Sequence, residues 1–185
     1  MSAARSVPWP LAQIPNALTI ARLLVIPVYA ALILTSTNGH SWPAAILFAC
    51  AAITDQIDGY LARRWHVESQ FGKIADPLAD RILIDVAVVL LWHAGQLPWA
   101  AFLIPARDIF LVATTPLALR RGYKFEVNRL GKLATWLLYA SLTLVMVVHG
   151  TWPLWLFWAG FGLAVASLVL YLLKARQEIG AGQGT

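Results

Sequence analysis

Residues 43–92 read PAAILFACAAITDQIDGYLARRWHVESQFGKIADPLADRILIDVAVVLLW. The stretch holds two apolar runs, 43–62 and 77–92, on either side of a short polar turn. Each run is close to the length of a helix that crosses a bilayer, roughly 17 to 25 residues. Carboxylates interrupt both runs, and an ionisable residue inside a membrane helix is costly enough to mark a functional site by default. The stretch therefore predicts two membrane helices that share a polar site.

The remainder of the chain has the composition of a membrane protein. Its 185 residues are 59% hydrophobic and 12% charged, which leaves too little polar surface for a soluble globule. Helices satisfy every backbone hydrogen bond internally in lipid, and these apolar runs are too long and continuous for barrel strands. We expect an all-α polytopic membrane protein, a single domain over 1–185, with six transmembrane helices in one bundle and a short interfacial segment at 7–14. The predicted spans are 17–34, 43–62, 77–92, 97–119, 133–148 and 152–173.

The distribution of basic residues predicts the orientation of these spans. The links at 35–42, 93–98 and 149–153 contain no Lys or Arg, so all 14 basic residues lie at the other side or within spans. The positive-inside rule then places both termini in the cytoplasm, with a basic face against anionic headgroups of the cytoplasmic membrane. Nucleic-acid binding is not expected, because no basic soluble domain exists to carry it.

Four acidic residues form the predicted site. Asp55 and Asp58 lie three residues apart, and Asp76 and Asp80 four apart, so each pair shares one helix face. A short turn makes the two helices antiparallel, which puts Asp58 level with Asp76 and Asp55 level with Asp80. Four carboxylates at such range need a counter-charge, and an all-oxygen site suits Mg²⁺ or Mn²⁺. Two such ions could clamp a diphosphate and activate a hydroxyl near the cytoplasmic surface.

The spacing of these acids is also a family signature. Asp55-Gln-Ile-Asp58-Gly59-Tyr-Leu-Ala62-Arg63, followed by Gly72, Asp76 and Asp80, resembles the complete motif of the CDP-alcohol phosphatidyltransferases. A chance match at eight fixed positions is expected less than about once in 10^10 starts. Residues 15–22, 106–108 and 131–135 are similar to members that act on glycerol-type acceptors. The resemblance implies a six-helix homodimer in which an alcohol attacks CDP-diacylglycerol and CMP leaves.

The same resemblance implies roles for the motif residues. Asp55, Asp58 and Asp76 would be metal ligands, and Asp80 would complete the metal site and act as the general base. The residues around the cytidine diphosphate would be Gly59, Ala62, Arg63 and Gly72.

The acceptor alcohol is predicted from basic residues near the cytoplasmic end. A phosphorylated acceptor needs cationic donors, and the candidates are Arg22, Arg107, Arg129 and Lys132. The Gly131-Lys132 pair resembles the branch that uses glycerol 3-phosphate, which we rank first. Asp108 and Trp136 depart from that branch and favour the alternative, a CDP-dependent cardiolipin synthase that takes phosphatidylglycerol.

Other interpretations of the same residues remain open. Arg22 could extend its charge to the interface, and Arg107 with Asp108 could be buried structure. Asp85 is predicted to pair with Arg81, four residues earlier on the same helix. From a different class, the carboxylates could serve a cation transporter or channel, although they cluster toward one membrane face and no repeated broken helices occur. A purely structural scaffold leaves the cost of four membrane carboxylates unexplained.

Overall fold

The computed structural model describes residues 14–65, 70–120 and 129–181, with side chains described within 20–54, 79–114 and 130–173. The described ranges are helical and contain no strand, which confirms the all-α prediction for them. An isolated backbone bridge joins Thr37 and His40. The helices are α1 (Ile14–Leu34), α2 (Trp42–Trp65), α3 (Gln70–His93), a 3₁₀ turn (Trp99–Phe102), α4 (Leu103–Arg120), α5 (Arg129–Val145) and α6 (Trp152–Ala181). The predicted interfacial segment at 7–14 lies outside the described residues except for Ile14, where α1 begins.

Helix α3 begins well before the predicted span. The apolar run starts at Pro77, yet the helix starts at Gln70, because hydrophobicity marks where a helix is buried and not where it begins. The added polar turns bring Asp76 onto the helix. Other helix ends differ from the predicted spans by up to eight residues: α2 ends at Trp65, α5 occupies 129–145, and α6 continues to Ala181.

The predicted span at 97–119 is divided. Pro98 is extended (φ −72°, ψ 159°), and the 3₁₀ turn follows it before α4 starts at Leu103. Pro105 is then the third residue of α4, where its missing N–H is not needed for an intrahelical bond. The α-helix thus begins six residues after the start of the predicted span, and the span itself stays a prediction.

Three contacts between loops show which helix ends lie together. The Ser41 amide donates to the Met146 carbonyl at 2.9 Å, and the Gln96 amide nitrogen lies 3.1 Å from His40 Nε2. The His40 and His149 rings stack with centroids 4.0 Å apart. The ends of α1, α3 and α5 therefore meet the starts of α2 and α6. We call this the distal end; it contains the three links that lack Lys and Arg, and the opposite end is the proximal end.

An aromatic core joins α1, α2 and α5. The Tyr29 and Phe48 rings lie 5.5 Å apart, and Phe48 and Tyr139 lie 5.4 Å apart; all three are buried. Helix α1 packs against both α2 and α3, and α6 packs on α5. Both α1 and α5 also contact α3, the helix that contains Asp80.

Among the described residues, one helical stretch, Trp152–Leu173, is long and apolar enough to cross a membrane by length and composition. Three shorter apolar helical stretches cover 20–34, 42–54 and 130–145. Large apolar side chains are exposed on several helices, including Leu24 at 65% and Ile109 at 68%. These features suit a lipid environment, and the six-span topology stays a prediction.

Candidate active site

The backbone places two of the predicted site acids at one level of the molecule. Asp55 lies 13 residues after Trp42, where α2 begins at the distal end, and Asp80 lies 13 residues before His93, where α3 ends there. At 1.5 Å per residue, both Cα atoms are about 20 Å along their helices from the distal end.

The other two acids lie slightly deeper toward the proximal end. By the same rise, Asp58 is about 24 Å and Asp76 about 26 Å from the distal ends of their helices. The predicted pairing of Asp58 with Asp76, and of Asp55 with Asp80, stays a prediction. The side chains of Asp55, Asp58 and Asp76 lie outside the described part, so their convergence stays a prediction. The same holds for four further predicted site residues on α2 and α3: Gly59, Ala62, Arg63 and Gly72.

Asp80 is the site acid whose side chain is described, and it is held from two helices. Arg22 Nη1 on α1 donates to Asp80 Oδ1 at 2.9 Å. The Tyr139 hydroxyl on α5 donates to the Asp80 backbone carbonyl at 3.5 Å. The Arg22 side chain is 2% exposed and that of Asp80 is 25% exposed. Asp80 thus presents a partly open carboxylate whose position is set by a buried guanidinium.

Sequence reasoning did not find either of these contacts. It selected Arg22 as an acceptor ligand, whereas the structure places its guanidinium on Asp80. Tyr139 was not selected at all. Its hydroxyl is a polar group on a largely apolar helix, which is the one signal that would have indicated a partner.

A groove between α1 and α2 is lined by Arg22, one member of this ion pair. Its volume is about 140 Å³. Its lining is mostly small or apolar and consists of Ala21, Arg22, Val25, Leu47, Cys50, Ala51 and Thr54.

Comparison with known proteins assigns the family. The model of the family described as CDP-alcohol phosphatidyltransferase matches residues 12–170. This chain belongs to the CDP-alcohol phosphatidyltransferase family. The matched region contains every candidate site residue from Arg22 to Lys132, and the family is membrane-associated and generally uses divalent metals.

Curated relatives of the chain cover nearly its whole length. It is 30% identical over 178 residues to the CDP-diacylglycerol--glycerol-3-phosphate 3-phosphatidyltransferase of Escherichia coli strain K12, across 92% of this chain and 95% of the relative. Proteins of the same name from Shigella flexneri serotype 5b and Shigella boydii serotype 4 are 29% identical over 182 residues, across 90% of this chain and 97% of each relative.

The predicted metal ligands suit the ions that this family uses. The four predicted aspartates would form an all-oxygen donor set if their side chains converge, which is the chemistry that Mg²⁺ and Mn²⁺ prefer. The partly exposed Asp80 carboxylate is accessible to such an ion. Within the residues whose side chains are described, no group of three or more His, Cys, Asp or Glu is close enough to hold a metal.

A second charged cluster lies between α3 and α4. Arg81 Nη1 contacts Asp108 Oδ1 at 2.5 Å, and Arg107 Nη2 contacts the same oxygen at 2.9 Å. The Asp108 side chain is 6% exposed, and this one buried carboxylate pairs with two guanidinium groups. The predicted Arg81–Asp85 pair is wrong, because the Arg81 guanidinium contacts Asp108, a more buried acid on the neighbouring helix α4. Asp85 Oδ1 is buried and has no hydrogen-bond partner in the described part of the chain.

The remaining acceptor candidates are placed differently from one another. Arg107 is 17% exposed and its guanidinium is engaged by Asp108, as the buried-structure interpretation expected. Lys132 is exposed in the first turn of α5, at the proximal end. Arg129 is the first residue of α5, and its side chain lies outside the described residues.

Proposed function

We propose that this chain transfers the phosphatidyl group of CDP-diacylglycerol to glycerol 3-phosphate, with release of CMP, as a step of phospholipid biosynthesis. The observation that carries the proposal is the match over 92% of the chain to the Escherichia coli enzyme named for this reaction. The four aspartates predicted to share one site support it, because a diphosphate donor requires a site that binds cations and phosphate together.

The four aspartates would bind the metal ions and supply the general base. Asp55, Asp58, Asp76 and Asp80 would hold two Mg²⁺ or Mn²⁺ ions, which when bound neutralise the diphosphate and polarise its phosphorus. Asp80 accepts the proton of the acceptor hydroxyl. The acceptor oxygen then forms a bond to the phosphorus attached to diacylglycerol, while the bond from that phosphorus to the bridging oxygen breaks and CMP leaves.

The surrounding residues would bind the two substrates. Gly59, Ala62, Arg63 and Gly72 would lie around the cytidine diphosphate. Arg22 orients the Asp80 carboxylate directly, through the 2.9 Å contact. Of the other acceptor candidates, the exposed Lys132 is better suited to a phosphate than Arg107, because Asp108 already engages Arg107.

The proposed enzyme works in the cytoplasmic membrane as a six-span homodimer with both termini and the acids on the cytoplasmic side. The basic-free links at the distal end support this orientation. The acids, about 20 to 26 Å from the distal end, would then lie within reach of the cytoplasmic surface and of a water-soluble acceptor.

Cardiolipin synthesis is the second candidate, because Asp108 and Trp136 depart from the glycerol 3-phosphate branch. Both would use the same donor and the same aspartates, and they differ in the acceptor alone. A cation transporter is the candidate from a different class, and it predicts no CMP at all.

An acceptor panel tests these candidates. Purified protein would be given CDP-diacylglycerol and Mg²⁺ with glycerol 3-phosphate, phosphatidylglycerol, inositol phosphate or serine, one at a time, and CMP and the lipid product would be measured. We expect CMP and phosphatidylglycerophosphate with glycerol 3-phosphate. Release with phosphatidylglycerol alone would assign cardiolipin synthesis, and no CMP with any acceptor would refute the transferase.

A further inference from the structure

Helix α5 reaches the residue that carries the site carboxylate through a buried hydroxyl. Tyr139 on α5 is 3% exposed, and its hydroxyl donates to the Asp80 backbone carbonyl at 3.5 Å. A backbone carbonyl has two lone pairs, so it can accept from Tyr139 as well as from the N–H of its own helix. Tyr139 therefore joins α5 to the backbone of α3 at Asp80 itself, and not at a neighbouring residue.

The direction of this hydroxyl is set by the packing of its ring. The Tyr139 ring lies 5.4 Å from the ring of Phe48 on α2, with the two planes tilted by 55°. Phe48 is fully buried, and side chains in a close-packed interior have little room to change orientation. The contact between Tyr139 and Asp80 thus belongs to a rigid part of the core.

The backbone around Asp80 has one hydrogen bond fewer than an ordinary helix. Pro77 lies inside α3, three residues before Asp80. Proline has no backbone N–H, so the turn that leads to Asp80 lacks one of its internal bonds. Two neighbouring helices restrain this residue: Arg22 on α1 contacts its carboxylate, and Tyr139 on α5 contacts its carbonyl.

Tyr139 also shares a face of α5 with Lys132, the exposed acceptor candidate. Seven residues separate them, which is close to two helical turns. Lys132 therefore lies about 10 Å from Tyr139 along the helix axis, toward the proximal end. One face of α5 carries a cation at the surface and a buried contact to Asp80.

We propose that Tyr139 is a positioning residue for the transfer reaction, which holds α5, and Lys132 with it, at a fixed spacing from Asp80. The inference rests on the proposed function, in which Lys132 binds the acceptor phosphate and Asp80 binds metal and accepts the acceptor proton. Tyr139 touches no reacting atom and acts through the Asp80 backbone. Small displacements of reacting groups slow a reaction without removing any group, so the loss of this contact lowers kcat and leaves the KM for glycerol 3-phosphate unchanged.

Two tyrosines in the same cluster provide a matched pair of variants. Tyr139→Phe removes the hydroxyl that contacts Asp80. Tyr29→Phe is the control, because Tyr29 is also buried and its ring lies 5.5 Å from the same Phe48, while its hydroxyl has no hydrogen-bond partner in the described part of the chain. Each variant loses a single oxygen atom. The measurements are kcat and KM for CMP release, and Mn²⁺ binding to the purified protein without substrates, by calorimetry.

We expect Tyr139→Phe to lower kcat about 2- to 10-fold, which is the effect of one ordinary hydrogen bond, with the KM unchanged. Its affinity for Mn²⁺ should also fall, because Asp80 is a proposed metal ligand, and Tyr29→Phe should match the wild type in all three quantities. A purely structural role would lower the number of Mn²⁺ ions bound per chain but not the affinity. That result, an unchanged Mn²⁺ affinity in Tyr139→Phe, or equal losses in both variants, would overturn the proposal.

The wild type separates this inference from the proposed function. A wild type that releases no CMP with any acceptor refutes the proposed function, and the positioning role with it. A wild type that releases CMP and binds Mn²⁺, with Tyr139→Phe equal to Tyr29→Phe, refutes the role of Tyr139 alone.

Discussion

Arg22 and Asp80 are 58 residues apart in the chain, and their side chains meet at 2.9 Å between α1 and α3. A side chain that orients a catalytic or metal-binding carboxylate typically changes activity by about 10- to 100-fold when it is removed. We therefore expect Arg22→Gln to lower kcat for CMP release by that factor, with little change in the KM for glycerol 3-phosphate. Steady-state kinetics on the purified variant provide the measurement.

The conservative change separates this role from acceptor binding. Arg22→Lys keeps a cation but loses the planar geometry of the guanidinium, so we expect partial recovery of kcat relative to Arg22→Gln. A rise in the KM for glycerol 3-phosphate with an unchanged kcat would show instead that Arg22 binds the acceptor phosphate.

Asp108 is the residue on which the second charged cluster depends. Asp108→Asn would leave Arg81 and Arg107 without the carboxylate they share, and breaking a buried pair costs about 3–5 kcal/mol. We expect a lower midpoint of thermal unfolding, followed through tryptophan fluorescence in detergent. Asp108→Glu retains the carboxylate and should lose less. Equal midpoints for Asp108→Asn and the wild type would contradict the assignment of Asp108 as a structural anchor.

At the scale of elements, the contact between α5 and α6 depends on Gly160. A Cβ atom there would lie 3.1 Å from Leu137 Cβ and 3.2 Å from the Leu138 backbone nitrogen. Gly160→Ala should therefore destabilise the protein by about 1–3 kcal/mol, because backbone cannot move aside cheaply.

Gly162 on the same helix provides the control for this prediction. A Cβ atom at Gly162 meets nothing within 4 Å, so Gly162→Ala should be neutral or raise stability by up to about 1 kcal/mol through helix propensity. Thermal melting of both variants tests the pair. Equal destabilisation by the two substitutions would show that the close packing at Gly160 is not what determines stability.

The helices themselves were largely predictable, and their ends were not. Apolar runs indicated each helix because burial in lipid or core selects apolar residues over its length. Helix α3 begins seven residues before Pro77 because its first turns are polar. The start of α4 at Leu103, after the 3₁₀ turn that follows Pro98, could not be predicted from hydrophobicity. It depends on the positions at which a helix tolerates proline, such as Pro105 in the first turn.

For the whole molecule, the orientation can be tested by labelling in intact cells. In a Cys50→Ser background, Thr151→Cys lies in an exposed link at the distal end and Lys132→Cys is exposed at the proximal end. We expect an impermeant maleimide to label Thr151→Cys in intact cells and Lys132→Cys only after permeabilisation. The reverse pattern would place the acids on the outer side and contradict the proposed topology.

The site was predictable to the extent that it is local in sequence. The spacing within Asp55–Asp58 and within Asp76–Asp80 predicts that each pair shares one helix face, because helix periodicity is a local property, and the four-aspartate site stays a prediction. The partners of Arg22 and Arg81 lie on other helices. The i, i+4 spacing on α3 wrongly predicted an ion pair between Arg81 and Asp85. Such contacts depend on helix rotation and packing, which one sequence does not specify.

The most direct measurement of the proposed reaction follows radiolabelled glycerol 3-phosphate into lipid with CDP-diacylglycerol and Mg²⁺, for the wild type and for Asp80→Asn. In the wild type, labelled phosphatidylglycerophosphate should appear in step with CMP, and chelation of the metal should stop both. Loss of a general base should slow both in Asp80→Asn by at least about 100-fold, in a variant with a wild-type elution profile. Transfer at the wild-type rate by Asp80→Asn, or CMP release without labelled lipid, would contradict the proposal.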